Sequence, residues 1–123
     1  MADLEPLLLV LCDKAVLDGQ GKPSLHGLFD VIWASGFPSQ HPELTVFAQV
    51  RFREPGSTRI VVEAPDGTPV AVADACRSAT PGKAQAICSF VRLPLPAAGE
   101  YTVRLVDDET TVAATSFEAC SRQ

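Results

Sequence analysis

The chain has 123 residues, 46% of them apolar and 20% charged, which are proportions of a globular protein rather than a disordered one. Ten Lys and Arg stand against 15 Asp and Glu, so the net charge of −5 repels a nucleic-acid duplex or an anionic membrane on average. At this length, with no internal repeat and no interdomain linker, the expectation is one domain over residues 1–123.

The opening Met1 to Pro6 carries two acids and leads into an apolar stretch of only six residues, Leu7 to Cys12. A secretory signal would carry positive charge and a longer apolar core. No run approaches the ~18 apolar residues of a membrane span. A cytoplasmic protein with reduced thiols is therefore expected.

Along the chain the dominant period is two. Leu7 to Cys12 has no polar member and reads as a central strand, or as one covered on both sides. After the turn signal Asp18-Gly19-Gln20-Gly21, the segment Leu25 to Trp33 reads as a strand with a bulge near Gly27. Ser35 to Pro42 is the longest irregular link of the first half. Leu44, Val46, Ala48, Val50 and Phe52 then alternate with Thr45, Gln49, Arg51 and Arg53, a strand with one buried face. Phe47 interrupts the polar face and is expected to be partly exposed or covered by a loop.

Beyond the turn Glu54-Pro55-Gly56, Ile60, Val62 and Ala64 alternate with Arg59 and Glu63. Pro65-Asp66-Gly67 follows, and then Val70 to Ala75, which is Ala-rich; a helix over Val70 to Arg77 competes with the strand reading there. Pro81-Gly82 precedes Ala86 to Leu93, a mostly apolar run that suits a central strand. Ala98-Gly99 leads into Tyr101, Val103 and Leu105, alternating with Glu100, Thr102 and Arg104. Asp107-Asp108 separates these from the weaker segment Thr111 to Phe117. Short strands divided by such turns argue for a sandwich or barrel. A hairpin at Arg53 to Arg59 would gather Arg51, Arg53 and Arg59 on one face with Phe47. That face is either solvated, with Glu63 as neighbour, or a docking site for an acidic partner.

Leu11-Cys12-Asp13-Lys14-Ala15-Val16-Leu17-Asp18, Gly21-Lys22, Ser24-Leu25 and Gly27-Leu28-Phe29-Asp30 resemble the start of a family of small uncharacterised bacterial proteins. Phe37-Pro38, His41-Pro42, Pro65-Asp66-Gly67, Leu93-Pro94 and Gly99-Glu100-Tyr101-Thr102-Val103 fit the same pattern. The final block is similar to the tyrosine corner of immunoglobulin-like folds, in which a Tyr hydroxyl caps the backbone of the preceding turn. The resemblance implies an all-β, immunoglobulin-like antiparallel β-sandwich of about seven or eight strands, with Tyr101, Gly99 and Trp33 serving the fold. Trp33 is not framed by cysteines as in antibody domains, and the family carries no activity to transfer.

Chemistry is not marked out. Cys12, Cys76, Cys88 and Cys120 include no close pair of the kind that structural zinc uses, so buried inert thiols are expected, with a Cys12–Cys120 bridge as the alternative. His26 and His41 are the only imidazoles, and no Ser sits in a nucleophile elbow. Asp107-Asp108-Glu109 reads as a solvated hairpin tip. Asp18, Asp66, Asp107 and Asp108 would gather Ca²⁺ only if their turns shared one end. Gly19-Gln20-Gly21-Lys22 joins two strands, whereas a phosphate loop must open a helix. The expected function is a non-catalytic binding or assembly module without a cofactor. It would act through a sandwich face or edge on an unknown protein partner or on a second copy of itself. Neither nucleic acid nor membrane is expected. The alternative is a metal-dependent ligand-binding or hydrolytic protein using His26, His41, loop Asp residues and a thiol.

Overall fold

The computed structural model describes residues 4–53, 57–76 and 82–121. Among them are nine strands, β1 (Leu4–Leu17), β2 (Pro23–Leu28), β3 (Val31–Ala34), β4 (Ser39–Phe52), β5 (Ser57–Glu63), β6 (Pro69–Cys76), β7 (Gly82–Leu95), β8 (Gly99–Asp107) and β9 (Thr110–Ser121). They form a four-stranded sheet ordered β2-β1-β4-β7 and a five-stranded sheet ordered β3-β9-β8-β5-β6. The turns Glu54-Pro55-Gly56 and the Pro81 half of Pro81-Gly82 lie outside the described residues.

Strict alternation supplies each sheet with one apolar face. Leu44, Val46, Val50 and Phe52 of β4 share one buried cluster with Ile60 and Val62 of β5, Tyr101, Val103 and Leu105 of β8, and Phe117 of β9. Each such side chain contributes roughly 1.5–3 kcal/mol on leaving water. The inner positions of β6 are Ala71 and Ala73, opposite Val62 and Ile60, so this Ala-rich segment is a strand packed closely on the core and not a helix.

Five features differ from the sequence expectation. The segment read as one strand from Leu25 to Trp33 divides into β2 and β3, which raises the strand count to nine. Between them Asp30 O accepts from Glu118 N at 2.8 Å, and the chain passes from one sheet to the other. β3 then pairs parallel to β9, in an otherwise antiparallel sandwich. The apolar run in β7 forms an edge strand, bonded only to β4 among the described strands. Most consequentially, β4 and β5 are not a hairpin, because they belong to opposite sheets. Trp33 is no core residue either; it stands 57% exposed on edge strand β3.

The tyrosine corner is present. Tyr101 Oη donates to Ala97 O at 2.7 Å and accepts from Ala97 N at 3.3 Å. Its fully buried ring stacks on Phe117, with centroids 5.1 Å apart and planes 9° from parallel. Gly99 makes the approach to β8 at φ +133°, and a Cβ there would lie 2.9 Å from Pro65 Cγ. Tyr101→Phe leaves the Ala97 backbone groups without this partner and is expected to cost about 1–3 kcal/mol, read from urea denaturation midpoints. Gly99→Ala is expected to destabilise further through its φ and the Pro65 contact, and an unchanged midpoint would contradict this account.

Candidate functional site

Outward-facing residues of the four-stranded sheet are not all in water. Phe47, opposite Val10 of β1 and Ile87 of β7, is only 1% exposed. Cys12 and Thr45 beside it are buried as well. The cover is the far half of the first hairpin, β1–β2. Thr45 Oγ1 donates to Asp13 O at 3.3 Å, and the Thr45 and Ser89 hydroxyls lie 3.1 Å apart. The chain after Cys12 thus leaves its ladder with β4 and crosses over that strand's outer side. Gly27 permits the bend from β2, at φ +70°, where any Cβ would run into the Asp13 carboxylate. At the tip, Asp18 Oδ1 accepts from the backbone N–H of Gln20 and Lys22 at 2.8 and 2.9 Å, fixing the turn.

Between the overhanging tip and the sheet lies a half-open cleft of about 550 Å³, lined by Leu17 and Gly21 of the hairpin end and by Leu7, Gln49, Lys83, Ala84, Gln85 and Ile87 of β1, β4 and β7. Leu8 and Val16 of β1, Leu17 at its end and Leu28 of β2 are exposed. The apolar residues of β1 therefore do not all serve the core. The bent hairpin takes both of its faces away from the sandwich interior.

The residues expected to form one basic face are separated. Arg51 projects from the outer side of the four-stranded sheet, with its Nη1 3.5 Å from Glu5 Oε2. Arg53 lies just past the end of β4 and is exposed. Arg59 projects from the five-stranded sheet, where its Nη2 donates to Asp108 O at 3.2 Å. Glu63, expected beside it, bonds Arg104 Nη2 at 2.9 Å instead. Phe47 and Arg51 thus share a face, Arg59 points to the opposite side of the molecule, and Phe47 is covered. Sequence reasoning missed Leu17 and Lys83. Apolar residues at both parities of β1, beside a strand with one polar face, were the available signal that β1 leaves the sheet.

The residues of the alternative, catalytic reading do not converge. Asp107 lies opposite Thr58 near the start of β5, while Asp66 follows that strand's other end. Among the described residues no three His, Cys, Asp or Glu side chains are grouped to hold a metal ion. Cys12, Cys88 and Cys120 are free thiols, and burial pushes the Cys12 and Cys88 thiols up from their ordinary value. His26 is exposed on β2. His41 packs against Phe29 with ring centroids 5.9 Å apart, and its Nε2 is buried without a partner among the described residues. Near it Arg92 takes φ +56°; Val91 is exposed, whereas Leu93, opposite His41, is buried. That change of parity turns His41 inward.

Against this geometry, known proteins give a family and a fold. A model described as a family of unknown function (DUF6941) matches residues 7–119. The chain belongs to this family. No curated protein matches it. Among solved structures, an alkylpurine DNA glycosylase of Pseudomonas fluorescens, AlkC, bound to DNA containing an abasic site analog, aligns at 8% identity with a TM-score of 0.59. The alignment covers 98% of this chain but 31% of the glycosylase, so the chain spans about a third of that protein's length. An immunoglobulin-like protein of Pseudomonas aeruginosa aligns at 11% identity with a TM-score of 0.52, covering 97% of this chain and 98% of that one. These likenesses establish an immunoglobulin-like sandwich, and at such identities they speak for the fold alone. No helix among the described residues is long and apolar enough to cross a membrane.

Burial holds the His41 imidazole below its ordinary pKa, with the Asp13 charge and a backbone hydrogen bond at Glu43 acting the other way. The unfolded chain takes up that proton near pH 6.5, and the folded chain takes it up only at lower pH. Unfolded protein therefore binds more protons in between, and stability falls as pH drops through and below about 6.5. His41→Gln is expected to flatten this slope relative to wild type in urea melts between about pH 7 and pH 5. Parallel pH profiles for the two proteins would refute the assignment.

Proposed function

We propose that this domain is a non-catalytic binding module whose recognition surface is the first hairpin together with the outer face of the four-stranded sheet beneath it. One observation carries the reading. Of the eight large apolar side chains exposed among the described residues, five (Leu7, Leu8, Val16, Leu17 and Leu28) belong to β1 and β2. Folded monomers rarely leave such a concentration in water unless another surface meets it. The hairpin places β2 at a sheet edge, bonded only to β1 among the described strands, and that edge offers backbone donors and acceptors to an extended segment. The partner is a protein, and Leu8 and Leu28 are the residues expected to contact it.

Affinity capture with cross-linking from the native host tests this, comparing wild type with Leu8→Glu and Leu28→Glu. Both positions are exposed, so circular dichroism is expected to report unchanged folding. Capture of the specific partner is expected to fall about tenfold or more in each variant, the scale of losing an apolar anchor. Equal recovery by all three proteins would remove the hairpin from the interface. Light scattering of the purified chain separates a second copy of itself from a foreign partner.

A further inference from the structure

The charges on the outer face of the four-stranded sheet do not balance locally. Arg51 of β4 and Lys83 of β7 stand directly opposite each other. Like charges at paired positions repel. Glu5 stands opposite Arg51 on the other side, and its Oε2 at 3.5 Å accepts from Arg51 Nη1. Lys83 has no carboxylate within ion-pair reach among the described residues. It is also the one charged side chain among the described residues lining the cleft. Two amides, Gln49 and Gln85, face each other across the strands next to it, and Leu7, Leu17 and Ile87 complete the walls.

A mostly apolar cleft of about 550 Å³ with a few convergent polar groups has the make-up of a small-molecule site. Its ligand must place one negative charge at the Lys83 end and apolar surface along the rest. From Lys83 to Ile87 the β7 backbone advances about 13 Å, the length of an extended chain of roughly ten carbons. We propose that the cleft binds a free aliphatic carboxylic acid of medium chain length. Its carboxylate meets the Lys83 ammonium and the Gln49 and Gln85 amides, and its chain lies between Leu17 on one side and Leu7 and Ile87 of the sheet on the other. The ammonium supplies a charge-assisted hydrogen bond that no group among the described residues satisfies. The inference rests on the reading of this face as the recognition surface and names what its cleft takes.

Calorimetric titration of the full chain with decanoate tests it, with decyltrimethylammonium as a chain-matched cationic probe. Saturable one-to-one binding of decanoate is expected, weakening as NaCl is raised. Lys83→Met is expected to weaken it about tenfold or more, whereas Lys83→Arg retains most of it. Leu17→Gln, in the apolar wall, is expected to weaken it as well. Thermal melts verify that each variant folds, as these exposed positions should allow. Absence of saturable decanoate binding, equal binding of the cationic probe, or indifference to Lys83→Met would each overturn the proposal. Partner capture through Leu8 and Leu28 is read separately, so a protein that captures its partner yet ignores decanoate defeats this inference and leaves the preceding one standing.

Discussion

One layer of apolar side chains lies between the two sheets, and the remaining features lean on it. Alternate positions of β4, β5, β8 and β9 fill that layer, so the direction of every outward residue on those strands is fixed by the burial of its neighbours. Tyr101 joins the layer to the edge of the sandwich: its ring stacks on Phe117 while its hydroxyl holds the Ala97 backbone. Phe29 continues the row, edge-on to Phe117 and 5.9 Å from the His41 ring. A slip of one residue in any of these strands would carry its apolar set into water.

The first hairpin escapes that constraint. β1 begins paired with β4, from Leu4 to Cys12, with Leu4 and Leu11 in the core. Past Cys12 it bends outward, tied by the Thr45 hydroxyl and by the contact of Asp13 with Gly27. The bend seals Phe47, Thr45 and Cys12 beneath it and leaves Leu17 and Val16 exposed. Covering one part of the sheet thus exposes another apolar surface, and the cleft lies where cover and sheet part. A strand whose only task was to complete the core would not need apolar residues on both faces along this length.

An immunoglobulin-like sandwich hosts many roles, and membership of a family of unknown function adds none. What individualises this chain is the placement of its surface residues. Glu63, Arg104 and Thr111 form a bonded row on the five-stranded sheet, with Arg104 Nη1 donating to Thr111 Oγ1 at 2.7 Å. On the other sheet the positive charge of Lys83 stands beside aliphatic walls without such company. Arg104 thus has both terminal nitrogens bonded within its row, whereas Lys83 has no carboxylate within ion-pair reach among the described residues.

The sequence alone determined the strands with one polar face. Leu44 to Phe52, Ile60 to Ala64 and Tyr101 to Leu105 bury the residues their alternation assigns, because period-two patterning is a local property that burial on one side enforces. It also determined the turns at Asp18 and Asp66, where an Asp side chain bonds its own backbone two residues on. Only the tertiary structure decided which strands are neighbours. Alternation is silent on pairing, so Arg51 and Arg59, close in sequence and equal in parity, could be read as one face although β4 and β5 lie in different sheets. The same silence hid the cleft. Leu17 and Lys83 are 66 positions apart, and what brings them to one site is a bend in β1 anchored by long-range contacts that no local pattern encodes.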